Sequence, residues 1–517
     1  RTTAIFISDA RGKQRKQVTR PLLKDFAPAF DPDGKFLYLI SAREFDPVYD
    51  NLHFDLGFPR GIRPYLITLR KDILSPFVPV VKPLESAGPD EKLEEKKPRK
   101  KKKDGIDSKK VDIDFEGIED RLLAFPVWDG RHVKIEAGKN RVFYAVEPVE
   151  GKLESESWAD PDTSADLVLF SYEFETLKPK VWLDGISDFG LSADRSTMWI
   201  RVGNRIKVVK AGEKPEEDDK SQKTDRKTGW IDLDRIRLNV DPGQEWRQMY
   251  LEAWRLQRDH FWTEKMSGVD WNAVRLRYLP LIDRIATRDD FSDLIWEMQG
   301  ELGTSHAYEM GGDYRAEPHW GVGKLGAKLK WIPKAKAFQI KSFAKGDVWT
   351  ESAGSPLLKP GVNLEIVYWI ESVNGRSLAP NADPGEHFLH LAGQEVTLGV
   401  KRMGAKYRTK LGRTVQVQLV RSEMGAYYRD WVERNREFVH QKSKGAIGYV
   451  HIPDMGPVGY SEFHRYFLSE IDRNGLIVDV RFNGGGHVSQ LILEKLARKR
   501  LGYDKSSWTD LQPYPND

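Results

Sequence analysis

The 517-residue chain contains no cysteine. Disulfides and cysteine-ligated metal sites are thereby excluded, because both need a thiol. A long apolar run is also missing. The densest stretch, Ile366 to Ile370, is strand-sized, far below the roughly 20 residues that cross a bilayer as a helix, so the chain reads as soluble with no membrane partner. Nor is there an excess of one charge. Lysine plus arginine number 82 against 78 aspartate plus glutamate, a net of +4, which falls short of the basic stripe that counterion release demands; nucleic acid is not an expected partner. No GxSxG elbow appears, and the bend at Gly484 to Gly486 carries neither the Gly-Lys-Ser/Thr of a Walker loop nor the GxGxxG spacing. His387 and His390 stand three apart with no third ligand, so neither a metal nor another cofactor is expected.

At roughly 100 to 200 residues per domain, the length predicts about three or four domains. Residues 1–235 carry a loosely recurring unit in which a turn precedes an aromatic-rich strand: FAPAFDPDGKFLYLIS (Phe26 to Ser41), IEAGKNRVFYAV (Ile135 to Val146) and FGLSADRSTMWIRV (Phe189 to Val202). Such recurrence without a helical period predicts a radial β array, and three copies are too few to close a ring, so a partial β-propeller with blades missing upstream is expected. The chain opens on Arg1 rather than Met, as after removal of an N-terminal segment or signal peptide. Two polar inserts, Lys96 to Lys103 and Gly212 to Lys227, read as solvated loops or as docking patches.

After Asp241-Pro242 the period changes. Trp246, Met249, Tyr250, Ala253, Trp254 and Phe261 fall at helical spacing, as do Phe291, Leu294, Ile295 and Met298 behind the cap-like Thr287 to Asp290; residues 236–315 read as a helical subdomain. Residues 316–421 return to strands (LGAKLKWI, EIVYWIESVNG, EVTLGVKR, RTVQVQLV) with one short helix around Glu386 to Leu391. Residues 422–517 run strand (Ala446 to Ile452), helix (Tyr460, Phe463, Phe467, Leu468 and Ile471 on one face), strand (Leu476 to Val480), three glycines, then helix (Val488, Leu491, Ile492, Leu496), the text of an α/β domain.

Two motifs carry candidate chemistry. In LIVDVRFNGGGHVSQLILEKL a buried-type strand empties into Gly484, Gly485 and Gly486 at the head of a helix, where free amides can meet an anion or a developing oxyanion; a tight βα turn is the structural alternative. In GTSHAYE, Gly303 to Glu309, His306 can act as a general base near neutral pH, or serve only as a turn residue. Residues 316–421 also look like a PDZ domain, on GVGKLGAKL, SPLLKPG (Ser355 to Gly361) and IESVNGRSL (Ile370 to Leu378), with a groove that takes a peptide as an added strand. Where PDZ domains usually carry Gly-Asp before the strand into VNG, this chain has Asn363-Leu364-Glu365.

Propeller text, a helical subdomain ending in TSHAYE, a PDZ-like module and a strand ending in RFNGGG, in that order, resemble the tricorn peptidases, relatives of the C-terminal-processing serine peptidases. The resemblance covers nearly the whole chain. It implies that His306 is the general base, that Ser305 supports its hydrogen-bonded set, and that Gly486 with Gly485 supplies the oxyanion hole. It also implies that Asp504 is the pocket acid favouring a basic side chain before the scissile bond, the alternative being a solvated carboxylate. A neutral imidazole would take the serine proton while preorganised amides meet charge present only in the tetrahedral intermediate. In the family the nucleophilic serine lies in a Gly-Ser turn downstream of the counterpart of Asp504, and a glutamate follows much later. Both positions would fall beyond Asp517, so the chain reads as a piece truncated at both ends and, as it stands, is not expected to hydrolyse peptides.

The function implied is a cytoplasmic serine endopeptidase acting on unfolded oligopeptides, assembled as a homohexamer. Two competitors stand beside it: a non-catalytic propeller and PDZ scaffold that binds peptides, and a periplasmic peptidase with a Ser-Lys dyad.

Overall fold

Asp31 shows why the recurring unit folds as it does. Its carboxylate accepts from Lys35 N (3.1 Å) and its carbonyl from Gly34 N (2.9 Å), with Gly34 at φ +70°, which turns strand Lys24–Phe30 back onto Phe36–Ala42. In the third copy Asp194 accepts from the hydroxyls of Ser192 (2.6 Å) and Ser196 (2.7 Å), bonds that hold its carboxyl down at about 2. The computed structural model describes residues 2–9, 12, 14–50, 55–78, 111–153, 165–215, 223–314, 318–347, 354–378, 384–403 and 409–515, in two units, Arg1–Arg237 and Leu238–Asp517. The basic run Lys96 to Lys103 and the middle of Gly212 to Lys227 lie outside the described residues.

The first unit is a series of antiparallel sheets. One has the order Lys24–Phe30, Phe36–Ala42, Ile62–Thr68, Leu122–Ala124; the next runs Arg131–Ala137, Arg141–Glu147, Leu167–Glu173, Lys178–Ile186; a third holds Asp188–Leu191, Thr197–Val202 and Arg205–Lys210. Strand Phe36–Ala42 is buried on both faces: Tyr38 and Ile40 join Ile135, Tyr144 and Tyr172 of the second sheet, while Leu37 and Leu39 pack with Val18, Ile67 and Ile118. Phe143, Leu169 and Trp182 of the second sheet in turn meet Phe189, Met198 and Ile200 of the third. Sheets thus pack one behind the next without closing a ring among the described residues, as a partial propeller.

The second unit opens with helices α1 (Pro242–His260), α2 (Trp271–Tyr278) and α3 (Arg288–Gly300). Each start is capped. Asp241 accepts from Gln244 N, Asp270 from Ala273 N, and Thr287 with Asp290 forms a reciprocal capping box. Trp254 and Trp271 each donate an indole N–H to the other's carbonyl (2.7 and 2.9 Å), so two large buried rings pack with no orphaned donor.

The PDZ-like module is a sheet of order Ala327–Ile332, Ala337–Phe343, Tyr368–Val373, Glu395–Met403, Thr409–Gln418 around a core of Leu325, Phe338, Ile340, Ile370, Leu398 and Val417. The third strand starts only at Tyr368. Asn363 sits at φ 43° and Tyr368 N turns back onto Glu365 O, so Ile366 and Val367 stay exposed instead of extending the strand as expected. The short helix also falls earlier than read, as a single 3-10 turn over Pro384–Phe388, and His390 leaves it at φ 60°.

One long helix escaped the sequence reading. α4 (Met424–Ser443) precedes strand Ile447–His451, which pairs in parallel with Gly475–Asp479; α5 (Pro457–Glu470) connects the two, and α6 (Ser489–Leu496) follows the glycines. α4 packs Tyr428, Trp431, Val432 and Val439 into the core of this region, but buried charge stands beside them: Arg429, 7% exposed, makes bonds of 2.8 and 2.5 Å to Glu462 of α5 and one of 2.8 Å to Tyr466. Burial disfavours the Arg429 charge, yet Glu462 outweighs it and raises the guanidinium above its ordinary value. On α5 the buried aromatics are Phe463, Tyr466 and Phe467, whereas Leu468, read as inward, is 39% exposed one position off the stripe. Removing one partner of a buried ion pair strands the other, so Glu462→Ala is expected to lower the unfolding free energy by about 3–5 kcal/mol in urea titration, and the double replacement Arg429→Leu with Glu462→Leu to recover most of it. A single mutant within 1 kcal/mol of wild type would contradict this.

Candidate active site

Ser305 and His306 lie in the irregular segment after α3. The segment is tied back by Glu309, whose carboxylate accepts from Arg288 (2.7 Å) and from Ser292 Oγ (2.9 Å), both on α3. His306 is exposed and sits at φ 65°, a left-handed conformation uncommon outside glycine and concentrated at functional sites. Its Nδ1 shares a 3.2 Å hydrogen bond with the Tyr308 hydroxyl, and the Tyr308 ring meets both His306 and Trp296 edge-on. Tyr308 therefore orients the imidazole, and Nε2 has no partner among the described residues. The Ser305 hydroxyl likewise makes no hydrogen bond among the described residues.

The glycine segment is built against the turn Pro453–Gly456. Met455 donates to Gly485 O (2.7 Å), and its carbonyl accepts from His487 N (2.5 Å) and Val488 N (2.8 Å), a parallel bridge that sets Gly486 opposite Met455. A Cβ on Gly486 would stand 2.2 Å from Met455 O, and φ there is 141°, so only glycine fits. Gly484 N–H donates to Pro453 O (2.9 Å) and Gly485 N–H to Asn483 Oδ1 (2.8 Å). Gly486 N–H alone has no acceptor among the described residues and is exposed at the mouth of the bend. Of the two expected donors, then, Gly486 is open and Gly485 is engaged.

Asn483 went unassigned in the sequence, although Asn before glycine is an Asx-turn signal. It spans the bend, donating to Ile452 O (3.0 Å) while accepting from Gly485 N–H, and so holds the loop in the form that leaves Gly486 open. Phe482, at φ 63° and 87% exposed, projects beside Trp431. Upstream, burial pushes the Asp479 carboxyl up, but hydrogen bonds from Arg481 and the Tyr449 hydroxyl hold it well below the usual carboxylate range. These residues, with Asn435, Phe438, Val439 and Ile477, line a groove of 640 Å³ along the strand that leads into the glycines.

Asp504 ends strand Gly502–Asp504, which pairs with Gln512–Tyr514, and its exposed carboxylate has no ion-pair partner among the described residues. No hydrogen bond or ring contact among the described residues joins Ser305 or His306 to the glycine segment or to Asp504. No group of three or more potential metal ligands occurs among the described residues, and no helix there is long and apolar enough to cross a membrane.

Family models match the chain in four consecutive stretches: the tricorn protease second beta propeller domain over residues 1–212, the tricorn protease C1 domain over 242–300, the tricorn protease PDZ domain over 323–422 and peptidase family S41 over 446–507. A putative tricorn-like protease C-terminal subunit of Sulfurisphaera tokodaii is 40% identical over 97% of this chain and 53% of that protein; a tricorn protease homolog of Saccharolobus solfataricus is 37% identical over 97% and 43%. A crystal structure of the tricorn protease superposes with a TM-score of 0.83 at 30% identity, over 99% of this chain and 46% of that one. The chain thus spans about half the length of the curated relatives it matches. With propeller, helical, PDZ and S41 regions in that order, the chain belongs to the tricorn protease family.

Proposed function

We propose that this chain forms part of a serine endopeptidase acting on unfolded oligopeptides, with Gly486 N–H as an oxyanion donor. The observation that carries the reading is the single uncommitted amide at Gly486, held in place by the Met455 bridge and the Asn483 clamp. A preorganised donor of this kind stabilises charge that develops only in the transition state. His306 acts as general base through Nε2, with Nδ1 steered by Tyr308, and Ser305 supports it. Asp504 draws a basic side chain of the substrate into its pocket, and the propeller admits chains without stable structure. The polypeptide works as a homohexamer in the cytoplasm.

The test uses the polypeptide extended to the length of its relatives. A fluorophosphonate probe is expected to label it, and unfolded oligopeptides are expected to be cut after Lys or Arg, with Asp504→Ala lowering kcat/KM for those peptides about tenfold or more by loss of one charge pair. Peptide binding with neither labelling nor cleavage would favour a non-catalytic scaffold instead.

A further inference from the structure

The PDZ-like module presents strand Ala327–Ile332 at the edge of its sheet among the described residues, flanked by exposed Lys324, Lys328 and Lys330. A peptide added antiparallel to that strand runs toward its head, so its C-terminal carboxylate arrives at Gly326. That place is already taken. Glu423 Oε1 accepts from Gly326 N–H at 2.7 Å. Gly326 is buried at φ +61°, and a Cβ there would lie 2.6 Å from Ser355 Cα, so the amide is fixed by a tight turn.

Glu423 is the residue that flanks the start of α4, where a side chain ordinarily bonds the helix's own first amides; here it makes no such bond and reaches across to the module instead. Two further residues on the same face, one and two turns along, continue the contact. Lys328 Nζ lies 5.9 Å over the Tyr427 ring, and the Asp430 carboxylate accepts from Lys345 N (3.0 Å) and Gly346 N (3.1 Å).

We infer that Glu423 is an internal ligand of the PDZ-like module: its carboxylate occupies the C-terminal-carboxylate position at Gly326, and an incoming peptide with a free, extended C-terminus must displace it. The amide has one acceptor position in line with its hydrogen, so capture of a peptide carboxylate and docking of the module on α4 through Glu423 exclude each other. By linkage, whatever loosens the Glu423 contact tightens peptide binding by the same factor. The lysines along the edge select an acidic extended chain. The inference concerns binding alone and does not depend on peptidase activity.

The test is fluorescence anisotropy on the 517-residue chain with a labelled acidic hexapeptide bearing a free C-terminal carboxylate, beside its amide-capped twin, in wild type, Glu423→Ala and Glu423→Gln. The free-acid peptide is expected to bind Glu423→Ala at least tenfold more tightly than wild type and Glu423→Gln more tightly by a smaller factor, because the glutamine Oε1 still accepts from Gly326 N–H without the charge, and the capped twin to gain nothing. In amide NMR the Gly326 signal should move when Glu423 is replaced and move back when the free-acid peptide is added. Unchanged affinity in both folded variants, or an equal gain for the capped twin, would overturn the inference. Glu423→Gln keeps the side-chain shape, so a loss of fold confined to Glu423→Ala leaves the comparison decisive.

Discussion

Replacement of His306 by alanine, in the polypeptide at the length of its relatives, is expected to lower kcat for peptide hydrolysis by about 10⁴-fold or more, as removal of a general base acting with a serine does, with KM nearly unchanged. Stability should hardly move. The side chain is exposed and its recorded contacts are to Tyr308, and the left-handed backbone at φ 65° costs alanine only about 1 kcal/mol. His306→Asn, which tolerates that conformation better, should be equally inactive and still closer to wild type in Tm. Steady-state kinetics on both variants check this: turnover retained within tenfold would remove His306 from the chemistry and return it to the role of a turn residue.

Gly486→Ala is the second large effect. Its Cβ cannot be placed without moving Met455 O, which stands 2.2 Å away, so the parallel bridge breaks and the open amide swings out of position. Loss of one oxyanion donor costs about 10²- to 10³-fold in kcat, or about 2.7–4 kcal/mol of transition-state stabilisation. Gly485→Ala is the control. Its φ of 82° makes alanine unfavourable too, but the added Cβ meets open space and the amide is already committed to Asn483. It should cost about 1–2 kcal/mol in stability with kcat reduced far less than in Gly486→Ala. Equal losses of kcat at the two positions would mean that the segment acts only as a turn.

Much of the architecture was legible because local chemistry and burial agree. The Asp31 to Lys35 turn, the Thr287 to Asp290 capping box and the Phe463 to Phe467 face each state in a few residues what the fold then does. α4 was harder to read, for a physical reason: hydrophobic periodicity is diluted where a buried face mixes apolar and charged residues, and here Tyr428, Trp431, Val432 and Val439 pack beside Arg429, Glu433 and Arg436, which pair with Glu462, Tyr466 and Glu470. The start of the third PDZ-like strand was misplaced because Ile366 and Val367 are strand formers held outside the sheet by the turn at Asn363.

Residue types in order were enough to mark the family's succession of regions and to nominate His306, Gly485, Gly486 and Asp504, since turns, caps and glycine bends are decided by neighbours in the chain. Which amide of the glycine bend stays open, that Asn483 holds it so, and that Glu423 fills the head of the PDZ-like groove were settled only by tertiary packing. Each depends on an acceptor supplied by another part of the chain, Pro453, Ile452 or α4. A backbone N–H looks the same in every sequence, and only the fold determines whether an acceptor lies in front of it.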